Sequence, residues 1–203
     1  MLIQGNEDLR VQKTMACIDR AFCELMLERE YGDISIAELC RRARIQRKTF
    51  YVYYASIDEL LREKLGEVSR RYIERISRYA VPEQIAEVNL EFYRYSAEQG
   101  ELYERIVCSA ACRDIGSALL EDLVRRTWQD SSWFRSLGEC EQDVFLAFIF
   151  GTGAALYRQW VAGGKKVPLE RMAELAGRLL KEGADGFAKA VGRSYAPFGP
   201  AKR

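Results

Sequence analysis

The sequence predicts an all-α protein: an N-terminal three-helix helix-turn-helix domain, then a larger helical domain, about nine helices in all. Three observations carry that expectation. Apolar residues recur at helical spacing through nearly every segment. Two helix-start signatures, Ser35-Ile36-Ala37-Glu38 and Ser56-Ile57-Asp58-Glu59, each lead into an apolar run. No segment alternates apolar and polar residues in the way a half-buried strand does.

Taken in order, Asn6 can cap a first helix whose Val11, Met15, Ile18, Phe22, Leu25 and Met26 share one stripe. Gly32 is expected to stop it in a left-handed conformation. Ser35 then caps a second helix that runs to about Arg42, its hydroxyl taking one free N–H while Glu38 returns to the cap residue. A third helix spans about Gln46 to Tyr53, and Ser56 opens a long fourth that ends near Tyr79. Val81-Pro82 breaks the chain. Helices at about 83–98, 101–112, 114–130, 141–163 and 168–190 follow, punctuated by Gly100, Gly138 and Gly163-Gly164. Residues 1–55 read as the first domain and 56–203 as the second, with the helix from 56 as connector.

Composition narrows the chemistry. Hydrophobic residues make up 48% and charged residues 30%, enough apolar mass for a real core. There is no histidine, which removes Ser-His-Asp triads and Cys2His2 zinc sites. No phosphate loop and no nucleophile–base set is visible, so neither an enzyme, a metal site nor a cofactor is expected. None of the six cysteines forms a CxxC pair. Cys17, Cys23, Cys40, Cys108 and Cys112 sit beside apolar residues and read as reduced core residues, although Cys108 and Cys112, one turn apart, also admit a redox or metal-sensing pair. Residues 1–8 lack the pattern of a signal peptide. The longest uncharged apolar run, Val144 to Leu156, is shorter than the ~20 residues a bilayer needs. A cytoplasmic protein with no membrane partner is therefore expected.

The net charge of +1 says nothing about nucleic acid, but its distribution does. Arg41, Arg42, Arg44, Arg47 and Lys48 fall together with no acid among them. A local patch suffices for phosphate contacts, because screening confines the effect to about 10 Å. The third helix opens with Gln46, Arg47 and Lys48 and then turns aromatic. A donor-rich N-terminus can enter a major groove while the back half anchors the helix. Arg or Lys pairs with guanine edges and Gln with adenine. Ser35, at a helix N-terminus, and Thr49, Tyr51 and Tyr53 carry hydroxyls suited to phosphates, whereas Phe50 and Tyr54 read as core plugs. Plain packing with wet hydroxyls is the other reading of Tyr51 and Tyr53. Arg41, Arg42 and Arg44 add diffuse attraction or are ordinary surface charges.

This layout resembles the TetR/AcrR family of bacterial transcription regulators. The resemblance is carried by Ile18 to Phe22, Ser35-Ile36 through Leu39, Ala43 through Ile45, and above all Arg47-Lys48-Thr49-Phe50-Tyr51-Val52-Tyr53-Tyr54 followed by Ser56 and Leu60-Leu61. It is especially similar to a subgroup written RKTFYxxY. Three positions depart from the common pattern. Arg44 stands where many relatives have Gly, Gln46 where many have a Ser or Asn cap, and Ile57 where many carry a phosphate-binding Lys. If Arg44 is left-handed, it costs about 1 kcal/mol relative to Gly.

The resemblance implies a homodimer on double-stranded DNA, most often a repressor that answers to a small-molecule effector. It also admits a relative that keeps the scaffold but works through a protein partner. An operator-binding pair would span half-sites about 34–36 Å apart or a multiple of that. The region rich in Phe92, Tyr93, Tyr95, Tyr103 and Trp128 would enclose the effector, or is an ordinary core. Phe145, Phe148, Ile149, Thr152, Leu156 and Trp160, with Leu175 and Leu179 of the last helix, would form the dimer interface, or are intrachain core.

Overall fold

The computed structural model describes residues 4–193 and residue 195, with backbone only at 4–8 and 117–123. Ten α-helices run in the order α1 (Gln4–Glu28), α2 (Ile36–Ala43), α3 (Arg47–Tyr53), α4 (Ile57–Ile76), α5 (Ile85–Glu98), α6 (Gly100–Cys108), α7 (Arg113–Trp128), α8 (Ser132–Ser136), α9 (Glu139–Ala162) and α10 (Leu169–Ala190). No strand occurs among the described residues. The fold is all-α, as the periodicity predicts.

Packing divides the chain into two units. One comprises the chain up to Leu65 together with Glu101–Gly116, and the other comprises Gly66–Gly100 and the chain from Ser117 onward. This differs from the two consecutive stretches read from sequence. The physical reason lies in α6. Arg105 donates through Nη1 to the Leu27 carbonyl at 2.8 Å and through Nη2 to the Arg29 carbonyl at 3.5 Å. A guanidinium at a helix C-terminus satisfies carbonyls that have no partner in the helix and opposes the negative end of its dipole.

Within the first unit, Ile18, Phe22, Leu25 and Met26 of α1, Leu39 of α2, Phe50 of α3 and Leu61 of α4 are all buried, and α1 packs on α2. Val11 and Met15, at the outer end of the predicted stripe, are not buried. Tyr31 donates to Asp58, and Lys64 pairs with Asp19, which fastens the start of α4. Gly32 does not stop α1 in a left-handed conformation. The helix ends at Glu28, and Gly32 sits inside a short 3-10 turn over Tyr31–Asp33. Cys17 is exposed rather than core, whereas Cys40 and Cys112 are buried. Burial pushes the Cys112 thiol above its ordinary value, which is the condition of an unreactive thiol.

In the second unit α10 packs along α5 and α9. A methyl placed on Gly177 would stand 3.3 Å from the Ala86 Cβ, so α5 and α10 approach at Gly177 as closely as a bare backbone allows. Asn89 of α5, only 4% exposed, donates through Nδ2 to the Ala173 carbonyl of α10 at 3.2 Å. Glu91, likewise 4% exposed, is held by Arg75, by Arg78 at 3.1 Å and by the Tyr79 hydroxyl at 3.2 Å. Arg75 also grips Glu98 through two nitrogens and lies 5.5 Å from the Tyr95 ring centre.

The helix α8 was not expected. Ser131 caps it by accepting from the Phe134 N–H, and it sinks Trp133 and Phe134 into an aromatic cluster with Trp128 and Phe145. Five residues are too few for a helical period to show. By length and composition alone, the 24-residue α9 is apolar enough to cross a bilayer, since charged residues flank rather than interrupt the run from Val144. One side of it, formed by Phe145, Leu146, Ile149, Gly153, Tyr157 and Trp160, is packed inside the second unit.

Candidate nucleic-acid interface

The site begins with two caps. Ser35 is extended and its Oγ accepts from the Glu38 N–H at 3.2 Å, as predicted. The reciprocal half of that capping box does not form. Glu38 turns to Arg41 instead, at 2.6 Å and 3.1 Å. At the other end of α2, Arg44 takes φ 55° and ψ 42°. The Ile45 N–H then reaches back to the Cys40 carbonyl at 3.0 Å and the Arg44 N–H to Arg41 at 3.3 Å. That is a Schellman closure, normally built with glycine at the left-handed residue. Arg44→Gly should therefore stabilise the fold by about 0.5–1 kcal/mol, the strain relieved less the entropy glycine adds to the unfolded chain. Urea unfolding checks this, and a lower midpoint would contradict it.

Gln46 is the extended cap residue of α3 and makes no side-chain cap bond. Its amide is therefore not spent on its own helix. Phe50, 0% exposed, and Tyr54 plug the back of α3 into the first unit, their rings 5.8 Å apart. Tyr54 donates to Glu63 at 3.3 Å, and burial pushes its hydroxyl up to about 12. A helix anchored on one side presents the other. Gln46, Arg47 and Lys48 are exposed, and so are Tyr51, at 56%, and Val52, at 70%. Thr49 and Tyr53 are half-buried on the flanks, and Ser35 and Arg44 are exposed beside them.

The basic run divides in two. Arg41 is paired with Glu38, and Arg42 with Glu28 and Glu24. Arg44, Arg47 and Lys48 make no ion pair among the described residues. The unneutralised charge is thus gathered on the turn and on the tip of α3.

Val52 was missed at the sequence level. Four residues after Lys48, it shares the outward face, and the i, i+4 spacing was the signal available. An exposed branched methyl pair at that place suits the methyl group of thymine.

The second unit holds a cavity of about 50 Å³ walled by Tyr72, Asn89, Phe92, Trp128, Phe150 and Leu180 among others. Of the effector residues read from sequence, Phe92 and Trp128 line it. Tyr93 is buried beside it, between Phe92, Tyr157 and Trp160, and burial pushes its hydroxyl up to about 12. Tyr95 faces α4 and donates to the Val68 carbonyl at 2.9 Å. Tyr103 lies on α6, in the first unit. Sequence reasoning missed Asn89 and Phe150. Val88, Asn89 and Phe92 fall within one helical turn, which was the signal for Asn89.

The dimer residues also separate. Phe145, Ile149 and Trp160 are buried in the chain's own core. Phe148, Thr152 and Leu156 are half-exposed. Leu175 and Leu179 are exposed, as is Val144. Phe148 lies across Gly183, so closely that a methyl there would stand 2.2 Å from its ring.

A bihelical turn with an exposed cationic tip, on an all-α scaffold, is the geometry of a helix-turn-helix DNA reader. Residues 20–63 match the profile of the bacterial regulatory proteins, tetR family. Over those residues the chain is similar to that family of transcription regulators. An uncharacterised HTH-type transcriptional regulator of Bacillus subtilis strain 168, YxbF, is 29% identical over 80 residues, which is 39% of this chain and 21% of that protein. The chain thus matches about a fifth of the length of that curated relative. Two solved structures share the fold. The B. subtilis transcriptional regulator FadR, crystallised with stearoyl-CoA, aligns with a TM-score of 0.62 at 18% identity over 83% of this chain and 98% of its own. The fatty acid degradation regulator FadR from Bacillus halodurans aligns at 0.56 and 16% identity, over 84% of this chain and 95% of its own.

Proposed function

We propose that this regulator is a ligand-responsive repressor that binds a pseudo-palindromic operator as a homodimer in the cytoplasm. The observation that carries the reading is the exposed, unpaired tip of α3, with Arg47 and Lys48 beyond the Arg44 turn. Arg47 and Lys48 reach guanine edges, Gln46 an adenine, and Val52 a thymine methyl. Ser35, Thr49, Tyr51 and Tyr53 hold phosphates and fix the register. Mobility shift on the DNA upstream of its own gene tests this. No shift at low salt, with a protein partner captured instead, would favour the co-activator role.

The outward faces of α9 and α10 support pairing. Val144, Phe148, Thr152 and Leu156 on one helix, with Leu175 and Leu179 on the other, leave an apolar surface that a second copy would cover. Leu179, at 56% exposure, is a direct test. Leu179→Glu puts an unpaired charge into that interface on both copies and should raise the dimer dissociation constant at least about 100-fold. Sedimentation reads this, and an unaltered dimer would place the interface elsewhere.

The cavity in the second unit supports ligand response, and a FadR of the same fold holds stearoyl-CoA. A ligand that favours one spacing of the two readers shifts the population by no more than its differential affinity for that spacing.

A further inference from the structure

We infer that the cavity of the second unit takes a small uncharged molecule, about one ring in size, that donates a hydrogen bond to Oδ1 of Asn89. This rests on the ligand-responsive reading above and names the ligand class.

Among the described residues that wall the cavity, none carries a charge. An anionic or cationic ligand would leave its own charge buried without a partner, which is far costlier than burying a neutral group. The volume limits the size of the ligand. About 50 Å³ is a third of the roughly 150 Å³ apolar cavity known to admit benzene. Phe92 and Phe150 are half-buried walls, so one ring is the most the space takes, and only when these two side chains turn aside. Among the described residues a long acyl chain with a charged head group finds neither the room nor a partner there.

Asn89 supplies the polarity. Its donation to the Ala173 carbonyl fixes which end of the amide is nitrogen. The remaining Oδ1 is an acceptor in the cavity wall. It lies 3.5 Å from where a methyl on Gly153 would stand, and Gly153 lines the same cavity. A buried acceptor beside an apolar space selects ligands that satisfy it, so a hydroxyl or N–H on an apolar ring is the matching chemistry.

The experiment uses the full chain and four probes: phenol, benzene, benzoate and stearoyl-CoA. Calorimetry should show phenol binding about tenfold tighter than benzene, with benzoate and stearoyl-CoA failing to compete. Gly153→Ala meets only ordinary van der Waals contacts, so its thermal midpoint should hold while phenol binding falls about tenfold. Asn89→Leu should make phenol and benzene equivalent. Because it also cuts the tie to Ala173, Gly153→Ala remains the deciding variant. Equal binding of phenol and benzene, competition by benzoate or stearoyl-CoA, or full phenol binding by Gly153→Ala would overturn the inference. DNA affinity is measured separately. Phenol that binds yet leaves DNA affinity unchanged would overturn ligand response while upholding the cavity's preference. A charged probe that releases DNA would do the reverse.

Discussion

Arg47→Ala and Lys48→Ala should each weaken binding to the operator by about 5- to 150-fold, the 1–3 kcal/mol that a cation on a base edge is worth. Both side chains project from the exposed tip of α3 and neither is held by a carboxylate among the described residues. Their removal therefore changes the interface without disturbing a network in the free protein. The salt dependence tells which partner each one has. A residue on a base edge loses affinity mainly on the operator. A residue on a phosphate loses it equally on all sequences and flattens the slope of log affinity against log salt by about one unit. By contrast, Arg41→Ala should have a small effect, because that charge is already matched by Glu38. Unchanged affinity and slope for both Arg47→Ala and Lys48→Ala would remove the tip of α3 from the interface.

Arg75→Met should destabilise the protein by about 2 kcal/mol, and Glu91→Gln by about 1 kcal/mol. The asymmetry follows from burial. Glu91 has only 5% of its side chain exposed, so without Arg75 its carboxylate depends on Arg78 and the Tyr79 hydroxyl. Arg75 is a third exposed and keeps Glu98 when Glu91 is neutralised. Its guanidinium holds the Glu98 carboxyl below the usual carboxylate range. The loss for Arg75→Met stays below the 3–5 kcal/mol of a fully buried broken pair because Arg78 remains. Urea unfolding of both variants gives the comparison. A larger loss for Glu91→Gln would mean that the buried carboxylate gains little from Arg75.

The helix α3 was legible in the sequence because its signals are local. A cap residue, a cationic start and an aromatic back half are set by neighbours along the chain, and Ser35, Phe50 and Tyr54 behave accordingly. Local chemistry also hid some outcomes. Glu38 had two partners within reach, and the arginine three residues on won over the cap N–H. Gly32 had the freedom to stop α1, but the chain stopped at Glu28 and Arg105, far along the sequence, capped it. Nothing near Gly32 encodes that contact.

The faces of α9 were harder to assign. Apolar residues surround much of that helix, so its period does not tell which side meets the chain's own core. Phe145, Ile149 and Trp160 turned inward, and Phe148, Thr152 and Leu156 were left at the margin. The effector residues scattered for a related reason. Aromatic density marks a region, but Tyr93, Tyr95 and Tyr103 each found a different neighbourhood once the helices packed.

The proposed function requires α3 to act as a reader in each half of a symmetric pair. Selection of bound duplexes from a random library by the purified full chain tests that most directly. The recovered site should carry two inverted half-sites with centres about 34–36 Å apart, or a multiple of that distance. Selection that enriches no duplex, or only a single half-site with no inverted mate, would contradict it.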